Sequence, residues 1–165
     1  MQAVSGPQLW LLLLGLAIVV DGLLAGASLD QSIKQLPARH RIGMRAFSTY
    51  SRASDLASGV FWYAGLGIAG AVLTLATAAW GLTLELSPGQ RLPLLLAAAL
   101  AIAHSLTTAR AAPINWSQRA VAEDESALAR VFQRFEHWQT ARAVLQLATF
   151  LALVDALLRQ SVALR

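Results

Sequence analysis

The chain has 165 residues, 56% of them apolar and 13% charged, with a formal net charge of +4 and no cysteine. A soluble domain carries about 25% charge; here the apolar residues come in long blocks, so an integral membrane protein is expected, all-α and folded as one domain. The missing cysteine excludes disulfides, thiolate metal ligands, iron–sulfur ligation and a cysteine nucleophile, and the basic residues flank apolar blocks, where topology or anionic lipid explains them better than nucleic-acid binding.

The first span is expected at 9–29. It carries "GLLAG", Gly22 to Gly26, a small-x-x-x-small spacing that lets helices approach closely. "AGA" at 25–27 resembles a signal-peptidase site, but the leader has no basic start and Asp21 interrupts the apolar region, so the span is expected to stay. The following "SIKQLPARHRIGMRAFSTYSR" alternates bases with apolar residues and is expected to lie along the membrane surface. The second span is expected at 56–84, and "SPGQ" at 87–90 reads as a turn. Trp10 and Trp80 are expected as interfacial anchors. The third span, 92–108, is the shortest, with Pro113 expected to stop it. In 119–138, Leu128, Val131, Phe132 and Phe135 follow a helical stripe after "EDE", which predicts an amphipathic helix leading directly into the fourth span at 140–158.

The result is a four-helix bundle in the membrane. Lys34, Arg39, Arg41, Arg45 and Arg52 lie between the first two spans, and Arg110, Arg119, Arg130, Arg134 and Arg142 between or beside the last two. The other side has only Arg91, Arg159 and Arg165. Basic residues mark the cytoplasmic side, so loops 30–55 and 109–139 are expected there, with both termini outside.

Ionisable residues inside a span are costly and point to function. Measured from the outer side, Asp21 and His104 both lie ~18–20 Å deep at ~1.5 Å per residue, and Trp62 and Tyr63 reach a similar level from the other side. Asp55, Gly59 and Tyr63 share a helix face; Trp138 and Arg142 are one turn apart at the start of span four. These residues predict a polar-lined pocket between helices, near the cytoplasmic side. Plainer readings stay open: Asp21 and His104 pairing only to satisfy each other, Asp55 and Arg142 as a structural salt bridge, Asp155 with Arg159 as a local ion pair, and Trp62, Trp116 and Trp138 as belt aromatics. His40 and His137 are expected to be exposed. Three scattered histidines have no metal-ligand spacing, so no metal is expected, and no phosphate loop or nucleophile elbow occurs.

"PIN" at 113–115, followed by "FEHWQTAR" at 135–142 running into a Leu/Ala span, resembles the anthrone-oxygenase-like membrane family, much of it defined as a domain of unknown function. The family pattern is Pro-hydrophobic-Asn after the third span, then Trp, a polar residue, and Arg four positions past the Trp. Pro113, Ile114, Asn115, Trp138 and Arg142 fit it. Gln139 stands where the family often has Asn, and Ile114 where it often has Leu. The resemblance implies oxygenation of an anthrone-type polycyclic phenol to a quinone with molecular oxygen. On that reading His104 is the base, Asp21 tunes it and Arg142 stabilises the anion. Trp62, Tyr63 and Trp138 wall the site, with Asn115 and Asp55 beside them. The alternative is a non-catalytic membrane protein that binds an apolar ligand or lipid, or assists assembly of a partner; a transporter is a weaker third reading. The sequence names no cofactor and leaves a homo-oligomer open.

Overall fold

The structure, a computed structural model that describes residues 5–163, is a bundle of four long helices. α1 runs Gly6–Ile42, α2 Met44–Leu82, α3 Pro88–Val121 and α4 Glu125–Ala163. Each is long and apolar enough to cross a membrane. No strand occurs among the described residues. Each helix packs on its neighbours in the chain, and α1 closes the ring against α4. The bundle is inverted relative to a water-soluble one: Leu12, Val19, Phe61, Ile68, Ile102 and Leu151 face outward, while Asp21, Thr74, Thr77, His104, Gln139 and Gln146 are buried.

Local chemistry sets the helix boundaries. Gln8 and Gln90 each reach back three residues so that their side-chain oxygens accept the backbone N–H of Ser5 and Ser87 at 2.9 Å, with Pro7 and Pro88 in the first turns. Gly43, at φ 87°, makes the reversal between α1 and α2, a backbone state that side chains resist. Asp124 starts α4: its carboxylate accepts the Ala127 N–H at 2.9 Å and the Ser126 hydroxyl at 2.8 Å.

Those bonds, the Ala127 amide foremost, hold the Asp124 carboxyl below its usual range. A carboxyl depressed in the folded state adds stability above its unfolded value and loses it as pH falls through the folded one. Amide exchange at Ala127, corrected for intrinsic rates, is therefore expected to accelerate below about pH 4 and to lose that step in Asp124→Asn.

The helices are longer than the apolar blocks that predict them. α1 does not end at residue 29: it continues through a π-turn at Gln31–Gln35 to Ile42, with Pro37 in the first turn after the π-turn, where a missing N–H is best tolerated. The basic segment after span one therefore extends the bundle as a continuation of α1. Arg39 pairs with Glu136 of α4, and Arg45 donates to the Glu123 carbonyl. Pro113 does not stop the third span either. It sits inside an α-helix that runs to Trp116, and a Ser117–Val121 3₁₀ turn follows. Proline removes one helical bond, but here the turn around it is held by buried Ala111 and Asn115, and tertiary packing overrides propensity. The amphipathic stripe before span four is the first part of α4, with Leu128, Phe132 and Phe135 buried.

Two apolar clusters brace the bundle. One joins Trp10, Leu14, Ala78, Leu94 and Leu153 towards the chain termini; the other joins Leu36, Phe47, Ala111, Leu128, Phe132 and Phe135 at the opposite end. Trp10 is no interfacial anchor: it is 2% exposed and donates its indole N–H to the Thr77 carbonyl at 2.9 Å. In "GLLAG", a Cβ at Gly22 would press on Phe150 at 3.1 Å, whereas Gly26 faces open space, so only one of the two glycines makes the close contact.

Candidate functional site

A cavity of about 530 Å³ lies between the two clusters. That volume falls within the ~300–1,000 Å³ of small-molecule sites. Most of its wall is apolar: Leu24 from α1, Val60, Ala64, Ile68 and Ala71 from α2, Ala109 and Ala112 from α3. Its polar side gathers residues from three helices, Ser28 and Gln31 of α1, His104 of α3, and Arg142 and Gln146 of α4. Tyr63, Asp55, Asn115 and Trp116 complete the lining towards the Gly43 end.

The polar side is unusually short of partners. Buried donors and acceptors are normally paired, and an orphan costs about 1–3 kcal/mol. Yet Ser28 Oγ, both ring nitrogens of His104, Arg142 Nε and Gln146 Oε1 have no hydrogen-bond partner among the described residues. His104 is 1% exposed, and its backbone carbonyl accepts the Thr107 and Thr108 hydroxyls at 2.7 and 2.9 Å. Arg142 is 9% exposed and donates to the side-chain oxygens of Gln31, at 3.3 Å, and Gln139. No carboxylate lies within 4.0 Å of its guanidinium: the ion pairs among the described residues are Lys34–Asp30, Arg39–Glu136 and Arg159–Asp155. A buried cation with no carboxylate in contact is expensive; Asp55, which lines the same cavity, acts on it only from a distance.

The predicted site residues fall into two groups. His104, Arg142, Tyr63, Asp55 and Asn115 all line the cavity. Asp21, Trp62 and Trp138 do not. Asp21 is fully buried between α1 and α2: its carboxylate accepts the Thr74 hydroxyl at 2.8 Å, and a Cβ at Gly70 would come within 3.0 Å of it. The expected Asp21–His104 pair is therefore absent. The two residues share a depth, but Asp21 turns towards α2 and His104 towards the cavity. Trp62 points outward at 54% exposure, so it is no wall of the site. Trp138 packs against the Leu36–Phe132 cluster, edge-on to His137, because that part of α4 faces the core of the extension. Asp55 makes no salt bridge with Arg142; it accepts from the Ser51 hydroxyl at 3.0 Å. Asp155 does pair with Arg159, at 2.8 Å.

Asp21 yields a stability prediction. Thr74 gives this buried carboxylate its one hydrogen bond, so Thr74→Val is expected to cost about 1–3 kcal/mol, read as a lower thermal midpoint in detergent. Asp21→Asn with Thr74→Val should recover part of that loss, because an amide is easier to bury than a carboxylate.

Residues outside the predicted site set shape it as well. Gln139 is completely buried, donates to the Ser28 carbonyl and seats Arg142. Gln118, also fully buried, donates to Asn115 Oδ1 at 2.8 Å and accepts from the Ser48 hydroxyl at 3.0 Å. Asn115 is thus held by a side chain one turn on. Arg119 donates to the Leu56 carbonyl at 2.9 Å beside the bend at Ala57 (φ −108°, ψ −113°), and its guanidinium lies 4.3 Å from the Trp116 ring centre. Trp116 itself lines the cavity, although it reads as a belt aromatic. No group of three or more His, Cys, Asp or Glu side chains among the described residues is placed to hold a metal. No family model, curated protein or solved structure matches the chain.

Proposed function

We propose that this chain is an integral membrane protein that binds an apolar ring compound with a weakly acidic group in the cavity and promotes its reaction with molecular oxygen. The observation that carries the reading is the pairing of two buried, under-partnered groups on one cavity wall: the His104 imidazole and the Arg142 guanidinium. The oxygenation itself comes from the resemblance of "PIN" and "FEHWQTAR" to the anthrone-oxygenase-like family. The orientation that fits the distribution of basic residues puts the Gly43 end of the bundle on the cytoplasmic side.

The chemistry needs no group beyond substrate and oxygen. A neutral His104 accepts a proton from the activated ring carbon. The negative charge moves to the ring oxygen, where Arg142 stabilises it. The carbanion gives its electron pair to O₂, forming a C–O bond, and the resulting peroxide anion takes the proton back from His104. Loss of water from the hydroperoxide leaves the quinone carbonyl, so one substrate and one O₂ give one quinone and one water.

A second reading has its own observation. A catalytic histidine is usually oriented by a partner on its far nitrogen, and here neither nitrogen has one, with Asp21 committed to Thr74. That favours a site that binds the ring compound without turning it over. Anthrone added to protein in lipid nanodiscs separates the two. Oxygen uptake and quinone absorbance rising above the spontaneous rate support the oxygenase. Saturable binding with no such rise leaves the binder, and no binding at all overturns both.

A further inference from the structure

We infer that the cavity selects an acidic amphiphile drawn sideways from the bilayer, its oxyanion head on Arg142 and its apolar body in the seam between α2 and α3. This rests on the cavity being the ligand site, as proposed above, and adds what chooses the ligand and how it arrives. The head position follows from charge. Arg142 is buried, lines the cavity, has two amide oxygens as its partners and leaves Nε without one. An oxyanion supplies the charge the protein withholds, and a guanidinium suits it through paired N–H donors. Asp55 is the acid facing the same space; tied to Ser51, it opposes the anion from a distance.

The route follows from exposure. The cavity residues that are also exposed on the outside of the bundle are mostly small or apolar: Ala64, Ile68 and Val72 on α2, Ser105, Ala109 and Ala112 on α3, with Trp116 towards the Gly43 end. Ala64, Ile68, Val72 and Ser105 lie within the apolar blocks and Ala109 directly follows the third, so the mouth opens to the side. α2 and α3 are also the least extensively packed of the neighbouring pairs. An apolar molecule already partitioned into the membrane reaches the cavity there without crossing water, and only its head has to find Arg142.

The test uses three fluorescent probes with one anthracene ring and different heads, a carboxylate, an alcohol and a trimethylammonium, on protein in nanodiscs of neutral lipid. The carboxylate is expected to bind at least tenfold more tightly than the alcohol, and the ammonium least. Arg142→Gln should erase the gap between carboxylate and alcohol while the alcohol still binds, and Asp55→Asn should tighten the carboxylate alone. Ala109→Trp in the seam should slow association of every probe and leave the order of heads unchanged. A carboxylate no better than the alcohol, or a preference that survives in Arg142→Gln, overturns the head assignment. An unchanged association rate in Ala109→Trp overturns the lateral route, and phosphatidic acid displacing the carboxylate probe as well as a free acid does overturns the choice of a single amphiphile over a membrane lipid. If anthrone is bound and oxidised but the heads are not distinguished, this inference fails and the proposed function stands; if no ring compound binds, both fail.

Discussion

His104→Ala is expected to lower quinone formation by about 100- to 10,000-fold, the range for removing a general base, while anthrone still binds within a few-fold of wild type. The side chain is fully enclosed and neither ring nitrogen is used by the fold, so no hydrogen bond is broken by its removal. The substitution does open extra space, which is expected to cost about 2–4 kcal/mol at a packed site but less here, because the ring already borders a cavity. Parallel measurement of thermal midpoint and turnover therefore separates lost chemistry from lost folding. His104→Gln refines the result: it keeps a polar group of similar reach but no base, so it should fold like wild type and turn over no faster than alanine. Full activity in either variant removes His104 from the reaction.

Arg142→Met is expected to raise the thermal midpoint while abolishing the preference for an acidic head and nearly all turnover. A guanidinium buried without a carboxylate is a net burden on the fold, and replacing buried charge with a well-packed apolar side chain is commonly neutral or stabilising by about 1–4 kcal/mol. The loss of two hydrogen bonds to Gln31 and Gln139 offsets part of the gain. A residue that weakens the fold yet lines a ligand-sized cavity has the signature of a site kept for function at the expense of stability. Destabilisation by Arg142→Met would instead make Arg142 a strut that holds α1 to α4 through the two glutamines.

Much of the architecture was legible from hydropathy, because four apolar blocks have no soluble solution other than burial in one another or in lipid. The helix ends were not. Residues 30–42 and 109–121 mix charge with apolar positions and Pro113 reads as a stop, whereas the structure carries α1 on through a π-turn and absorbs Pro113 in a packed last turn. The cavity residues His104 and Arg142 stood out because ionisable groups in apolar blocks are costly. The pairing of Asp21 with His104 failed for a geometric reason. Rise per residue fixes depth, but rotation about the helix axis decides which neighbour a side chain meets, and Asp21 meets Thr74. Gln31 and Gln146 give no such signal, because an uncharged amide carries no comparable cost, and Gln139 stands out only against the family pattern, although all three frame Arg142 or the cavity. Buried glutamines at helical spacing on span four (139 and 146, two turns apart) were the available clue.

The absence of native cysteine makes one measurement decisive, since any introduced thiol is the sole reactive one. Ala71→Cys places it on the cavity wall, with Ala97→Cys in the packed core and Ala76→Cys on the outer face as controls. In nanodiscs, labelling by a small methanethiosulfonate reagent, followed by intact mass, is expected to be fastest at position 71. Anthracene carboxylate should slow it there at least tenfold more potently than the alcohol, an advantage that should vanish when Arg142→Gln is added. Labelling at position 71 no faster than at position 97, or a carboxylate advantage that persists without Arg142, would contradict a ligand cavity built around that cation.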